Sequence, residues 1–127
     1  MRIDTHTKID AELCGTPLEV GKGFSRVEFR AMDRMAVDES GLVHGGFVFG
    51  LADYAAMIAV NHPNVVLGAA EVRFLLPVRT DDILLAEARV VESEGKKQKV
   101  KVSVQIMGQT VFEGEFTCFV LKNHVLG

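Results

Sequence analysis

The chain has 127 residues, of which 48% are hydrophobic and 24% charged, and its formal net charge at pH 7 is −3. This balance excludes an intrinsically disordered chain and does not suggest a nucleic-acid partner, so we expect one globular domain over residues 1–127. Cys14 and Cys118 lie far apart outside any CxxC pattern, which argues against a zinc site and a disulfide scaffold. Residues 1–6 lack the apolar segment of a signal peptide, and we expect a cytoplasmic protein with reduced thiols.

The elements before the central helix are short. Residues 1–22 are mixed in character, with a short helix or turn predicted near Ala11–Leu13 and a loop through Gly15–Pro17. Residues 24–30, FSRVEFR, alternate apolar and polar side chains, which predicts a β-strand. Residues 32–43 connect this strand to the helix and contain the turn sequence DESG at 38–41.

A long apolar helix is predicted next. Among residues 47–60, Asp53 is the only side chain that ionises near or below neutral pH. A membrane span needs about 20 residues, which is longer than this segment, and Asn61-His62-Pro63 ends it. We therefore predict a helix buried inside the fold, with no membrane association.

The second half of the chain is predicted to be all β. Strands are expected over residues 69–76, 83–92, 97–107 and 110–121, with turns at 81–82, 93–96 and 108–109. Val100, Val102, Val104 and Ile106 lie on one face of their strand. The predicted class is α+β, with one helix wrapped by a curved antiparallel sheet of about five to six strands.

The apolar helix also predicts an oligomer. One curved sheet covers a single helix only partly, so we expect another copy of the chain to cover the rest. Exposed edge strands would favour continuation of the sheet across a dimer.

Asp53 is the first candidate for chemistry. A carboxylate in apolar surroundings is costly to desolvate, and such groups are candidate acids, bases or nucleophiles. The alternative is structural, with Asp53 pairing with an arginine or capping a backbone at a subunit interface.

The second candidate is the sequence His44-Gly45-Gly46 at the helix start. Backbone N–H groups in the first turn have no intrahelical acceptor, and glycine lets a ligand approach them, which suits a carbonyl oxygen gaining charge. The alternative is that the glycines only permit tight packing. Gly46 and Asp53 are seven residues apart, roughly 10 Å along a helix axis. If they cooperate, two antiparallel helices must cross at a two-fold axis, giving two composite sites per dimer.

Residues 41–55, GLVHGGFVFGLADYA, resemble the G-x-x-H-G-G-x-x-x-x-L-A-D-x-A signature of hotdog-fold acyl-CoA thioesterases of the phenylacetate-pathway (PaaI) type. Residues 70–77, AEVRFLLP, are similar to that family's strand ending in Phe-Leu-x-Pro. The resemblance runs from about Val27 to Leu121. It implies a hotdog fold, a dimer or dimer of dimers, and hydrolysis of acyl-CoA thioesters without a metal or organic cofactor.

The resemblance also implies roles for individual residues. Asp53 would activate water or attack the thioester itself, and the N–H of Gly46 or Gly45 from the partner chain would polarise the carbonyl. His44 would orient the substrate or the loop before the helix. The family often has asparagine where this chain has Asp38, and a second carboxylate nearby would raise the pKa of Asp53.

A second resemblance supports a different function. Residues 83–91 and 111–116 are similar to the effector-binding hotdog domain of the fatty-acid synthesis repressor FapR, a domain that binds malonyl thioesters without hydrolysing them. This resemblance implies binding of an acyl thioester, on coenzyme A or acyl carrier protein, without hydrolysis. Motifs of the enoyl-thioester dehydratases are absent from the sequence. An interaction module that uses the dimer only as a scaffold is the third alternative.

The remaining candidates have plain structural alternatives. Met35, Phe47 and Met57 are predicted walls of an acyl pocket or ordinary core residues. Phe74 belongs to the candidate substrate site through the strand motif. Arg73, Arg79, Lys96, Lys97 and Lys99 suit coenzyme A phosphates or a solvated strand face. Tyr54 is a candidate hydrogen-bonding group at the subunit interface. His62 is predicted to be structural at the helix end, and His6 and His124 are expected to be exposed.

Overall fold

One long helix lies across a six-stranded antiparallel sheet in the computed structural model, which describes residues 2–127. The helices are α1 (Ala11–Cys14) and α2 (Gly45–Val60), and the strands are β1 (Thr16–Gly21), β2 (Phe24–Arg30), β3 (Val65–Phe74), β4 (Ile83–Glu94), β5 (Lys97–Ile106) and β6 (Gln109–Val120). The strand order is β1-β2-β4-β5-β6-β3. This is the predicted α+β hotdog architecture, and its two edge strands are β1 and β3.

The structure corrects two predicted element boundaries. Residues 16–21, predicted to begin in a loop, form β1, which pairs with β2 through a register shift between Pro17 and Glu19. An edge strand tolerates proline and needs no strict alternation, which explains why the pattern missed it. Strand β3 runs over Val65–Phe74 rather than 69–76 and also contains a register shift, between Leu67 and Ala69.

The core lies between α2 and one face of the sheet. Alternate side chains of four strands are buried there: Val27, Phe29, Leu84, Ala86, Ala88, Val100, Val102, Val104, Phe112, Phe116 and Cys118. The hydroxyl of Ser25, itself fully buried, donates a 2.6 Å hydrogen bond to the Ala55 carbonyl and so links β2 to the helix. Val100, Val102 and Val104 therefore share one buried face, as predicted, whereas Ile106 follows a register shift between Val104 and Gln105 and is only partly buried.

The N-terminal segment is bound to the C-terminal end of α2 within one chain. Asn61, at the left-handed end of α2, accepts a hydrogen bond from the Asp4 N–H and donates one to the Arg2 carbonyl, at 2.8 and 2.7 Å. Residues 54–59 of α2 are all buried. Burial of this half of the helix therefore does not require a second chain, contrary to the argument from the sequence.

His6 also differs from the expectation. It is partly buried, with its ring centroid 6.4 Å from that of Tyr54, whereas His124 is exposed as predicted. No helix within residues 2–127 is long and apolar enough to cross a membrane.

Candidate functional site

The start of α2 presents two glycines with different hydrogen bonding. His44 is the N-cap residue, and its imidazole Nδ1 accepts a 2.8 Å hydrogen bond from the Gly46 N–H. No acceptor among residues 2–127 receives the Gly45 N–H. Because first-turn amides carry the positive end of the helix dipole, the Gly45 N–H is a free donor for an oxygen that gains negative charge.

Asp53 lies in the middle of α2, partly buried. Its Oδ1 is buried and has no hydrogen-bond partner among the residues that the structure describes. Burial strips water from the carboxylate and raises its pKa to about 6. The group is therefore mostly ionised at neutral pH and has a pKa that suits a general base.

Asp38 does not contribute to this shift. Its side chain is fully exposed, and Oδ1 accepts hydrogen bonds from the hydroxyl and the N–H of Ser40, at 2.6 and 3.0 Å. The hydroxyl bond is the main reason that the pKa of Asp38 is lowered. Within one chain, Asp38 shapes the turn before His44, and the expected effect of a second carboxylate on Asp53 is absent.

Gly46, Gly50 and Asp53 form a partly exposed stripe along α2. They are four and three residues apart, which places them on one helix face. A Cβ added to Gly50 would meet nothing within 4 Å. Gly46 and Asp53 are roughly 10 Å apart along the axis, so one chain does not bring the carboxylate to its own first-turn amides.

A small apolar cavity of about 280 Å³ opens beside the helix start. Its lining residues are Leu42, Val43, Gly45, Val48, Phe74, Leu76, Pro77, Val78 and Val111. Phe74, the aromatic residue of this wall, is 56% exposed, and its ring packs edge-on against Phe112 with centroids 5.1 Å apart. A Cβ on Gly45 would lie 3.1 Å from the Phe74 ring, so the missing side chain makes room for that ring.

The structure separates several predicted site residues from this cavity. Met35 and Met57 are buried in the core, and Phe47 is partly buried with its ring edge-on to His44. Arg73 neighbours Phe74 in β3 but lines a different groove, of about 730 Å³, on the sheet face away from α2. Arg73 and Phe74 therefore do not belong to one pocket within a chain.

Some of the other charged and polar candidates make structural contacts. Lys99 pairs with Glu115 at 3.5 Å. The main-chain N–H of Arg79 donates to Asp82, whereas Arg79 and Lys96 are themselves exposed residues. His62 Nδ1 accepts from the Asn64 N–H at 3.0 Å, consistent with its structural interpretation. Tyr54 is buried beside His6.

Sequence reasoning missed most of the cavity wall. It identified Gly45 and Phe74 but not Leu42, Val48, Leu76, Val78 or Val111. The run FLLPV at 74–78 was the available signal, because apolar residues continue beyond the end of β3 at Phe74. Within residues 2–127, no group of three His, Cys, Asp or Glu side chains is placed to hold a metal ion.

Comparison with known proteins identifies relatives of this chain. The sequence model of the family described as "Thioesterase superfamily" matches residues 40–112, which contain α2 and the cavity wall through Val111. The methylthioribose-1-phosphate isomerase of Aquifex aeolicus is 51% identical over 91% of this chain, which spans only 25% of that protein. The transcription factor FapR of Caldanaerobacter subterraneus is 28% identical over 94% of this chain, which spans 60% of it.

Several solved structures have the same fold as this chain. An uncharacterized protein from Pyrococcus horikoshii is 51% identical, with a TM-score of 0.99 over 100% of this chain and 98% of that one. A mutant of the phenylacetic acid degradation protein PaaI from Thermus thermophilus is 25% identical, with a TM-score of 0.79 over 87% and 97%. A hypothetical thioesterase from Streptococcus pneumoniae, solved with coenzyme A, has the same fold at 20% identity, with a TM-score of 0.77 over 86% and 87%.

Proposed function

The chain belongs to the thioesterase superfamily, and we propose that it hydrolyses acyl-CoA thioesters to a free acid and coenzyme A. The observation that carries the proposal is Asp53, whose buried Oδ1 has no hydrogen-bond partner among residues 2–127 and whose pKa burial raises to about 6. An unpaired carboxylate on an apolar helix is costly, and catalysis explains its presence.

In the proposed reaction, the Asp53 carboxylate takes a proton from a water molecule as the water oxygen attacks the thioester carbon. The carbonyl oxygen gains negative charge, and the Gly45 N–H of the partner chain donates to it. Collapse of the intermediate breaks the C–S bond, and the leaving thiolate takes the proton from Asp53. Direct attack by Asp53 gives the same products after water hydrolyses the acyl-enzyme anhydride.

The site is proposed to form between two chains. Asp53 is too far from its own first-turn amides, and reacting atoms must approach to about 3–3.5 Å. The stripe of Gly46, Gly50 and Asp53 has no bulky side chain, so an antiparallel α2 from a second copy fits against it. Gly46 would serve as a second donor only if the His44 ring moved away from its N–H.

Coenzyme A is the proposed carrier of the acyl group. The pneumococcal protein of the same fold was solved with coenzyme A, so the fold itself accommodates this group. Arg73, Arg79 and Lys96 are exposed cations that would be free to meet its phosphates.

A second function, acyl-thioester binding without hydrolysis, is favoured by the similarity to FapR over 94% of the chain. It uses the same cavity and leaves Asp53 without a catalytic role. Saturable binding with no thiol release would distinguish it from hydrolysis.

The test measures thiol release from short, branched, long and aromatic acyl-CoAs. Wild type is compared with Asp53→Asn, and the matched control Asp33→Asn makes the same change on an exposed side chain. We expect release by wild type and the control, and a loss of at least about a hundredfold in Asp53→Asn. Equal turnover in Asp53→Asn would refute the mechanism. Binding without release would establish the second function, and no affinity for any thioester would indicate an interaction module.

A further inference from the structure

We infer that the cavity at the start of α2 holds the acyl group and selects apolar acyl chains over those ending in a carboxylate, with Phe74 limiting their length. The inference rests on the proposed function only in taking an acyl thioester as the ligand. It applies equally to a protein that binds such thioesters without hydrolysing them.

The wall of the cavity is apolar. All nine lining residues have apolar side chains or none. Some main-chain groups of the wall are already paired: the Val43 N–H donates to the Val78 carbonyl at 2.9 Å, and the Val111 carbonyl accepts from Leu75 and Leu76 at 2.8 and 3.2 Å. The Gly45 N–H is a free donor at the helix start, where the thioester carbonyl is proposed to bind. Beyond it, the side chains of the wall offer no partner for a charged or strongly polar group.

None of the residues that line the cavity is charged. Arg73, next to Phe74 in sequence, lines the groove on the other face of the sheet. A terminal carboxylate on the acyl group would leave water and gain neither a cation nor a side-chain hydrogen bond from this wall, which is strongly unfavourable. A methylene in the same place gains about fourfold in affinity, because each buried CH₂ contributes about 0.8 kcal/mol.

The cavity is small. A volume of about 280 Å³ lies just below the usual range for ligand pockets, about 300–1,000 Å³, which suits a short, branched or singly aromatic acyl group. Phe74 lines the cavity next to Gly45 and Phe112. Because this residue is more than half exposed, removal of its ring should lengthen the cavity without emptying the core.

The test uses isovaleryl-CoA and malonyl-CoA, whose acyl groups have the same number of heavy atoms and the same branching. We expect kcat/KM for isovaleryl-CoA to exceed that for malonyl-CoA by at least about a hundredfold. For straight chains, kcat/KM should rise about fourfold per carbon up to a maximum. Phe74→Ala should move that maximum by two or more carbons, and Phe74→Leu by less. Phe24→Ala, the same change on the outer face, should leave it unchanged.

If wild type hydrolyses nothing, the dissociation constants of the same two thioesters are measured by calorimetry, with the same expected ratio. The proposed function would then have failed while the inference is still tested. Malonyl-CoA used or bound as well as isovaleryl-CoA would overturn the inference. An unchanged chain-length maximum in both Phe74 variants, folded and of wild-type oligomeric state, would also overturn it.

Discussion

The imidazole Nδ1 of His44 accepts a hydrogen bond from the Gly46 N–H at 2.8 Å, so the histidine caps the helix that carries Asp53. This bond occupies one of the two glycine amides and leaves the Gly45 N–H without an acceptor among residues 2–127. The pair thus assigns different tasks to adjacent glycines: Gly46 completes the cap, and Gly45 faces the ligand in the proposed site.

The cap predicts a difference between two substitutions of His44. His44→Ala removes the acceptor and should lower the free energy of unfolding by about 0.5–2 kcal/mol, whereas asparagine is a good N-cap and should restore most of it. If His44 only positions the helix start, His44→Asn should also keep most of the kcat/KM that His44→Ala loses. Denaturant unfolding and thiol release on both variants check this, and equal activity losses would instead indicate a direct role of the imidazole.

The pKa of Asp53 predicts the pH dependence of hydrolysis. The carboxylate is the active form, and its pKa is raised to about 6 by burial. Below that pH, kcat/KM should fall about tenfold per pH unit, and above it the profile should level off. Thiol release measured from pH 4.5 to 8 gives the profile. If kcat/KM instead fell only near pH 4, the carboxylate that acts in catalysis would not be desolvated.

The same shift predicts that Asp53 lowers stability as the pH rises. The folded protein holds the Asp53 proton up to about pH 6, whereas the unfolded chain releases it near pH 3.8. Between these values the folded state binds more protons, so the free energy of unfolding falls with rising pH. Asp53→Asn removes this contribution. The free energy of unfolding of the variant, relative to that of wild type, should therefore rise by about 2 kcal/mol from pH 4 to pH 7.5.

Denaturant unfolding of both proteins at the two pH values, at one protein concentration, checks this prediction. All other titrating groups are shared and cancel in the difference. A stability difference between the proteins that does not change with pH would contradict the desolvation of Asp53.

Gly50 predicts the oligomeric state. In one chain a Cβ at this position meets nothing within 4 Å, so Gly50→Arg should be tolerated by the protomer. If the stripe faces a second α2, the arginine side chain should block the contact, giving a folded monomer without hydrolysis. Gly21→Arg is the control, since Gly21 in β1 also has open space around it. Sedimentation velocity measures the oligomeric state of both variants. A Gly50→Arg variant that is oligomeric and active would show that two α2 helices do not pair through this stripe.

Much of the fold follows from local patterns in the sequence. The strands of the second half alternate strictly, as in Val100 and Val102, because one face packs on the helix and the other meets solvent. Strand β1 was missed because an edge strand has no buried face to impose a pattern. The attachment of Arg2 and Asp4 to the end of α2 was also missed, since it depends on Asn61 binding a distant segment.

The candidate site was predictable in part. Asp53 and the two glycines are visible as exceptions within an apolar helix, so sequence alone identifies them. The bond from Gly46 to His44 is not visible, because it depends on the rotamer of the imidazole. The separation of Arg73 from Phe74 follows from strand alternation, but only once β3 is placed between the cavity and the outer groove.

In the proposed site, Asp53 of one chain acts with the helix start of another. Asp53→Asn and Gly45→Val are each expected to be inactive, the valine because its side chain would collide with Phe74 and obstruct the amide. Coexpressed in equal amounts, half of the dimers would be hybrids, each with one intact site. With random pairing across a two-fold axis, we expect thiol release at about a quarter of the wild-type level. No release from the coexpressed pair would contradict it and place both groups in one chain.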